Sequence, residues 1–216
     1  DYFLSSQSHL ALTHKLSLDI TPYFYHGSGN YPLGVYTIPT SGTYYDGTQP
    51  INGQLAGNTY SQDGNVAAKW DWYGRESYTG LNAALHYDSG INHLVAGAWY
   101  GYSDMNVSEP FSGLDAAGNV SNSLLKLTDG TVLNGWRYHT ITQMVGLYVG
   151  DEVRLLNDRL HINVGFKEVM TARNGTLQQP GPQYAVGYNS AEPLPRMSVS
   201  YKVNDNIQLF ANATTS

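Results

Sequence analysis

Strict alternation of apolar and polar side chains constrains this chain more than any other feature. From Leu160 to Phe166, the residues Leu160, Ile162, Val164 and Phe166 share one parity, and His161, Asn163 and Gly165 share the other. Successive side chains of a strand point to opposite faces, so this is a strand with one oily and one wet face. The rhythm recurs along the chain. Leu16, Leu18 and Ile20 alternate with Ser17, Asp19, Thr21, Tyr23 and Tyr25. Leu81, Ala83 and Leu85 alternate with Asn82, Ala84 and His86. Leu94, Ala96, Ala98, Tyr100 and Tyr102 alternate with Val95, Gly97, Trp99 and Gly101. Met197, Val199 and Tyr201 alternate with Ser198, Ser200 and Lys202. The segment Arg137–Gln143 has no clean pattern. Helical periodicity is weaker throughout.

These runs pair as four hairpins. The first joins HLALTH to KLSLDITPYFYH. The others turn at Tyr87-Asp88-Ser89-Gly90, near Leu156-Asn157-Asp158, and at Val203-Asn204-Asp205-Asn206. Asp, Asn, Ser and Gly supply the capped or left-handed positions of tight turns. The pattern predicts about eight strands of roughly 9–11 residues or a little more, long enough to cross a bilayer at a tilt. Long polar connections are expected at roughly 27–67, 103–135 and 174–194. Short turns at one end and long loops at the other characterise an outer-membrane barrel. The wet parity is rich in His, Asn, Asp, Gln and Ser, which could not fill a dry core without partners. The reading is therefore an all-β, antiparallel transmembrane β-barrel. Leu160 and its even-numbered neighbours face lipid, and His161, Asn163 and Lys167 face a wet interior. Glu168 shares the oily parity and is placed near the outer headgroup level.

Composition fits this picture. Charged residues are 13%, about half the usual share, while the 216 residues include 18 Tyr and 23 Gly. Tyr rings favour the membrane–water boundary. Phe24, Tyr100 and Tyr102 are expected in an outer aromatic girdle, and Tyr87 and Tyr201 in an inner one. The net charge of −6, without any basic run, excludes nucleic acid as a natural partner. There is no Cys. No G-x-S-x-G elbow or phosphate loop is present, so no enzyme is expected. The seven His have no metal-ligand spacing, and neither a metal nor a cofactor is implied.

Candidate ligand-binding residues are aromatic. Tyr23, Tyr25 and Trp99 carry the inward parity near outer strand ends, and Trp136 and Tyr138 lie at similar height. Tyr44 and Tyr45 sit in the first long connection, near Tyr31 and Tyr36. Stacking on a ligand is one use of such rings; wall or loop packing is the other.

Four segments, RLHINVGFKEV, QMVGLYVGDEVRLLND, LPRMSVSYKVNDNIQLFANATTS and KLSLDITPYFYHGSG, resemble barrel strands of TonB-dependent outer-membrane receptors. They occur in the family's order, and with the loop rhythm they cover most of the chain. The resemblance implies a bacterial outer-membrane barrel of about 22 strands around an N-terminal plug. Residues 1–216 would be an interior barrel segment, with the plug domain and C-terminal strands not present. It also implies uptake of a scarce nutrient, most often a ferric siderophore, with a TonB-type energy-coupling protein acting through the plug. Outer-membrane lipid and lipopolysaccharide would surround the wall. The residues themselves leave open a passive channel, a small closed eight-stranded barrel with an adhesive or structural role, and a soluble β-sandwich that binds glycans.

Overall fold

A computed structural model describes residues 1–39, 41–46, 49–54, 64–127, 129–179 and 184–215. Their regular elements are strands: β1 (Tyr2–Ser5), β2 (Ser8–Ala11), β3 (Leu16–Pro39), β4 (Ser41–Asp46), β5 (Gln49–Gln54), β6 (Asn65–Asp88), β7 (Asn92–Leu114), β8 (Val120–Leu124), β9 (Asn134–Leu155), β10 (Leu160–Gln179), β11 (Tyr184–Asn204) and β12 (Ile207–Thr214). One antiparallel sheet runs β1-β3-β6-β7-β9-β10-β11-β12, with β2 also on β3 and β8 on β7; β4 and β5 form a separate ribbon.

β1 and β2 share one register on β3, with Tyr2 opposite His26 and Ser8 opposite Ile20, so they are one strand interrupted at Ser6 and Gln7. The gap faces Pro22, which has no N–H to contribute to the ladder. Counting this pair once, the main sheet contains eight crossing strands and the short β8. Among the described residues β2 pairs with β3 and β12 with β11, not with each other. The sheet is open at both edges, which is a partial barrel and not a closed eight-stranded one.

The four expected hairpins are present, joining β2 to β3, β6 to β7, β9 to β10 and β11 to β12, all with short turns. The third turn holds three consecutive left-handed residues, Leu156 (φ 55), Asn157 (φ 54) and Asp158 (φ 65). Asn and Asp tolerate that region; Leu does not do so without strain.

The structure corrects the expected strand and loop lengths. β3 and β6 each run 24 residues, β7 runs 23, and β10 is the shortest of the long strands at 20. The polar connections are largely paired strand: β3 reaches Pro39 and β6 starts at Asn65, while β7 ends at Leu114 and β9 starts at Asn134. The indistinct segment Arg137–Gln143 is regular β9. Backbone pairing needs no apolar side chain. Where both faces are wet, the alternation disappears from the sequence while the ladder continues.

Register sorts the two faces. Leu81 lies opposite Tyr100 and Leu85 opposite Ala96. Phe166 lies opposite Val149, and Val164 opposite Met197. This face is open: Leu147 is 48% exposed, Val149 51%, Val164 44% and Phe166 43%. No second layer of described residues covers it. Such a continuous apolar band is stable only against hydrocarbon.

The opposite face is wet and built from aromatic rings laid on glycines. A methyl group added at Gly146 would collide with the Trp99 indole, one at Gly80 with Tyr23, and one at Gly97 with Tyr148. Tyr148 continues across the wall to donate from its hydroxyl to Asn82 Oδ1 at 3.2 Å. The buried apolar core is small and lies at the long-hairpin end. There Leu125, Leu127 and Leu133, from the segment after β7, fold against Val66, Ala68 and Phe111. Asn134 N and Nδ2 donate to Gln179 Oε1 at 2.9 and 3.0 Å, tying that segment to the end of β10.

Candidate functional site

The candidate ligand residues separate by height. Tyr23 stacks on Tyr78 with centroids 5.7 Å apart, and its hydroxyl donates to Tyr100 O at 3.4 Å. Tyr25 lies over Gly27 of its own strand. Trp99 lies on Gly146 and carries Lys167 Nζ 5.4 Å from its ring centroid. All three rings are engaged in the wall. Tyr44 lies opposite Ile51 and Tyr45 opposite Pro50 in the β4–β5 ribbon; their side chains lie outside the described residues.

Trp136 and Tyr138 come together higher up. With Thr140, Arg173, Leu177 and Tyr188 they line a cavity of ≈ 450 Å³. Three strands build it. Tyr138 on β9 lies opposite Leu177 on β10, and Arg173 on β10 lies opposite Tyr188 on β11. Burial pushes the Tyr138 phenol above its ordinary value, the Glu109 charge adds to this, and the Arg173 guanidinium partly opposes it. Burial likewise raises the Glu109 carboxyl. Tyr138 therefore stays a neutral hydroxyl donor at working pH. Next to this region Tyr31 stacks on Trp72 with centroids 4.9 Å apart and planes 20° apart. The arrangement offers flat aromatic faces, a hydroxyl donor and the exposed guanidinium of Arg173. It suits a planar or chelating anion, which it could stack and charge-pair.

Arg173 and Tyr188 lie outside the aromatic candidates that the sequence pattern marks. Arg173 continues the inward parity of Lys167, which was a usable signal. Its partnership with Tyr188 depends on a register that no local pattern carries, because Tyr188 falls in a stretch read as loop.

Five histidines have carboxylate partners that sequence separation concealed. Asp19 joins His9 Nδ1 at 2.5 Å and His86 Nε2 at 3.2 Å. His93 pairs with Asp88 at 3.0 Å, His139 with Asp104 at 2.9 Å, and His161 with Glu152 at 3.2 Å. Among the described residues no group of three His, Cys, Asp or Glu could hold a metal ion.

The sequence matches the family described as "TonB dependent receptor-like, beta-barrel" over residues 1–216. The chain belongs to the TonB-dependent receptor β-barrel family. TonB-dependent receptor barrels are outer-membrane proteins, so the open apolar band is the lipid face and the glycine–aromatic face lines the lumen. Comparison with curated proteins returned no match. Among solved structures the chain is similar to the siderophore receptor PiuA from Acinetobacter baumannii, with a TM-score of 0.65, 12% identity, and coverage of 97% of this chain and 31% of that one. It is also similar to the ferric citrate transporter FecA in its unliganded form, with a TM-score of 0.51, 14% identity, and coverage of 97% of this chain and 26% of that one. At such identity the likeness is one of fold. The chain spans about a third or less of the length of these receptor structures.

Proposed function

We propose that this chain forms part of the wall of an energy-coupled receptor importing a scarce nutrient, a ferric siderophore in the first instance. The observation that carries the proposal is the cavity lined by Trp136, Tyr138, Arg173 and Tyr188. Ferric complexes of catecholates and citrate are negatively charged, and catecholates are also planar and aromatic. One guanidinium among aromatic rings complements both properties. The names of PiuA and FecA point to the same cargo class. Tyr23, Tyr25 and Trp99 lie lower in the lumen, where passing cargo would meet them, and Tyr44 and Tyr45 would approach it from the first extracellular hairpin. A TonB-type protein would supply energy through a plug, and lipopolysaccharide and lipid would surround the wall.

The test uses the whole receptor in iron-starved cells, with uptake of radio-iron measured as ferric citrate and as a ferric tris-catecholate. Energy-dependent uptake of at least one complex, lost on deletion of the receptor, is expected. Equal uptake with and without the receptor, together with ungated passage of small solutes through purified barrels, would replace this reading with a passive channel.

A further inference from the structure

A second cavity, of ≈ 670 Å³, lies on the outside of the wall. Its polar lining includes Asn30, Tyr73, Arg75, Asn106, Ser108 and Arg137. These residues share the parity of the lipid face. Arg75 lies opposite Asn106 and Tyr73 opposite Ser108, in the same unbroken register that sets Leu81 opposite Tyr100. Asn30 lies opposite Tyr73 and Arg137 opposite Ser108. Its lumen-parity members, Gly29, Gly74, Val107 and Tyr138, each lie next to an outward residue in the chain and form the floor, and Trp72, the ring that covers both glycines from the lumen, is not among the lining. It therefore opens outward.

Its height follows from strand geometry. On β7 the outward residues from Leu94 to Tyr102 are apolar or aromatic. At ~3.3 Å per residue and a tilt of ~40° they span roughly 20 Å, close to the ~25 Å apolar band of such barrels. Polarity then changes within one step, to Asp104, Asn106 and Ser108. Arg75, level with Asn106, stands roughly 10 Å beyond the Tyr102 row on the same geometry. That is the headgroup layer, and an arginine side chain can also reach back toward the bilayer. The two carboxylates of this face that flank the site are already held: Asp104 by His139 Nε2 at 2.9 Å and by Asn106 Nδ2 at 3.0 Å, and Asp71 by Lys69 Nζ at 2.7 Å. Both Arg75 and Arg137 are exposed.

We propose that Arg75 and Arg137 form a binding site for the phosphate of an anionic glycolipid headgroup in the outer leaflet. Arg75 and Arg137 donate to phosphate oxygens in fork geometry, Asn30, Asn106 and Ser108 donate singly, and Tyr73 flanks the sugar. The proposal rests on the membrane placement of the wall and is independent of the cargo.

The test measures retention of lipid by the whole purified receptor after delipidation, with lipid A, dephosphorylated lipid A and inorganic phosphate as probes. Wild type is expected to retain lipid A at least about ten-fold better than Arg75→Gln/Arg137→Gln, the loss expected for two charge-assisted donors. Arg75→Lys/Arg137→Lys should recover part of that difference. Dephosphorylated lipid A should not distinguish wild type from the Gln variant. Equal retention of lipid A by wild type and the Gln variant overturns the site. Binding of inorganic phosphate with full displacement of lipid A assigns the site to free phosphate and overturns the lipid. Heat-modifiable gel migration identifies folded barrels, so a folding defect is separated from a binding defect. Cargo binding by the Gln variant should be unchanged, which keeps failure here distinct from failure of the uptake proposal.

Discussion

The indole of Trp99 on β7 occupies the space beside Gly146 of β9 that a methyl group would need, and Lys167 Nζ on β10 sits 5.4 Å from the ring centroid. Three neighbouring strands are thus joined on the lumen face by one ring. Gly146 has the only side chain that leaves the indole its place. Gly146→Ala should lower barrel stability by about 1–3 kcal/mol, the usual cost of overpacking. Thermal unfolding in detergent measures it, and an unchanged midpoint would show that the ring moves freely.

The two faces of the wall should respond differently to charge. Leu147 is 48% exposed on the lipid face, and Leu147→Arg should cost about 2–4 kcal/mol if it lies near the midplane. Asn163, on the lumen parity of β10, should accept arginine at a cost under about 1 kcal/mol. Folding equilibria into phospholipid bilayers compare the two. Equal penalties would contradict a two-sided wall.

Cargo affinity should depend on the upper cavity. Trp136→Ala should weaken binding of the transported complex by about 1–3 kcal/mol, from lost stacking area. Arg173→Ala should weaken an anionic complex by a similar amount. Arg173→Lys should restore only part of it, since a point charge replaces a fork. Titration by tryptophan fluorescence reads all three; unaltered affinity in both alanine variants would move the site elsewhere.

Gln179 is 1% exposed and accepts both hydrogen bonds from Asn134. Gln179→Leu leaves the Asn134 N–H without that acceptor at a buried position, at a cost of about 1–3 kcal/mol. The segment from Asp115 to Leu133 should then be cut faster by added protease while the barrel remains folded. A cleavage rate like that of wild type would mean that the apolar contacts of Leu125, Leu127 and Leu133 suffice alone.

Acid should loosen the tip of that same segment. The Asn119 side chain donates to the Asp115 carboxylate at 3.0 Å, and the backbone N–H groups of Asn119 and Ala117 donate at 2.8 and 2.9 Å. These bonds, the Asn119 side chain first, hold the carboxyl below its ordinary value. A lowered folded-state value means that the contribution is complete above about pH 4, the unfolded value, and is lost as pH falls through the folded one. Pepsin cleavage at this tip should rise as pH falls below about 4 in wild type. Asp115→Asn should remove the pH step, and a step persisting in that variant would assign it to another group.

The eight crossings were legible because each passes through two solvents. Leu160, Ile162, Val164 and Phe166 face hydrocarbon while His161 and Asn163 face water, and that contrast is written at every second position. The tips of the hairpins were not legible for the same reason reversed. Between Ser28 and Pro39 the apolar residues Tyr31, Leu33, Val35 and Ile38 are broken up by Gly, Pro and polar residues and fall on both parities, and between Asn174 and Gln179 only Leu177 is apolar, so paired strand looks like loop. The turns were found because Asp88, Asn157, Asp158, Asn204 and Asp205 carry their own local chemistry.

The cavity shows the same division. Trp136 and Tyr138 could be named from their residue types and height, but Arg173 and Tyr188 could not be added without register. Asp19, which joins His9 across one strand pair and His86 across the next, is equally invisible in one dimension. Alternation, turn chemistry and the family's strand segments are local or solvent-driven properties, and the sequence by itself determined the two-sided sheet from them. Which rings lie on which glycines, which cation meets which aromatic, and which arginines share the outer face above the lipid depend on residues far apart in the chain. Only the tertiary structure decided those, because backbone hydrogen bonding sets the stagger between strands, and that stagger brings such residues to the same height.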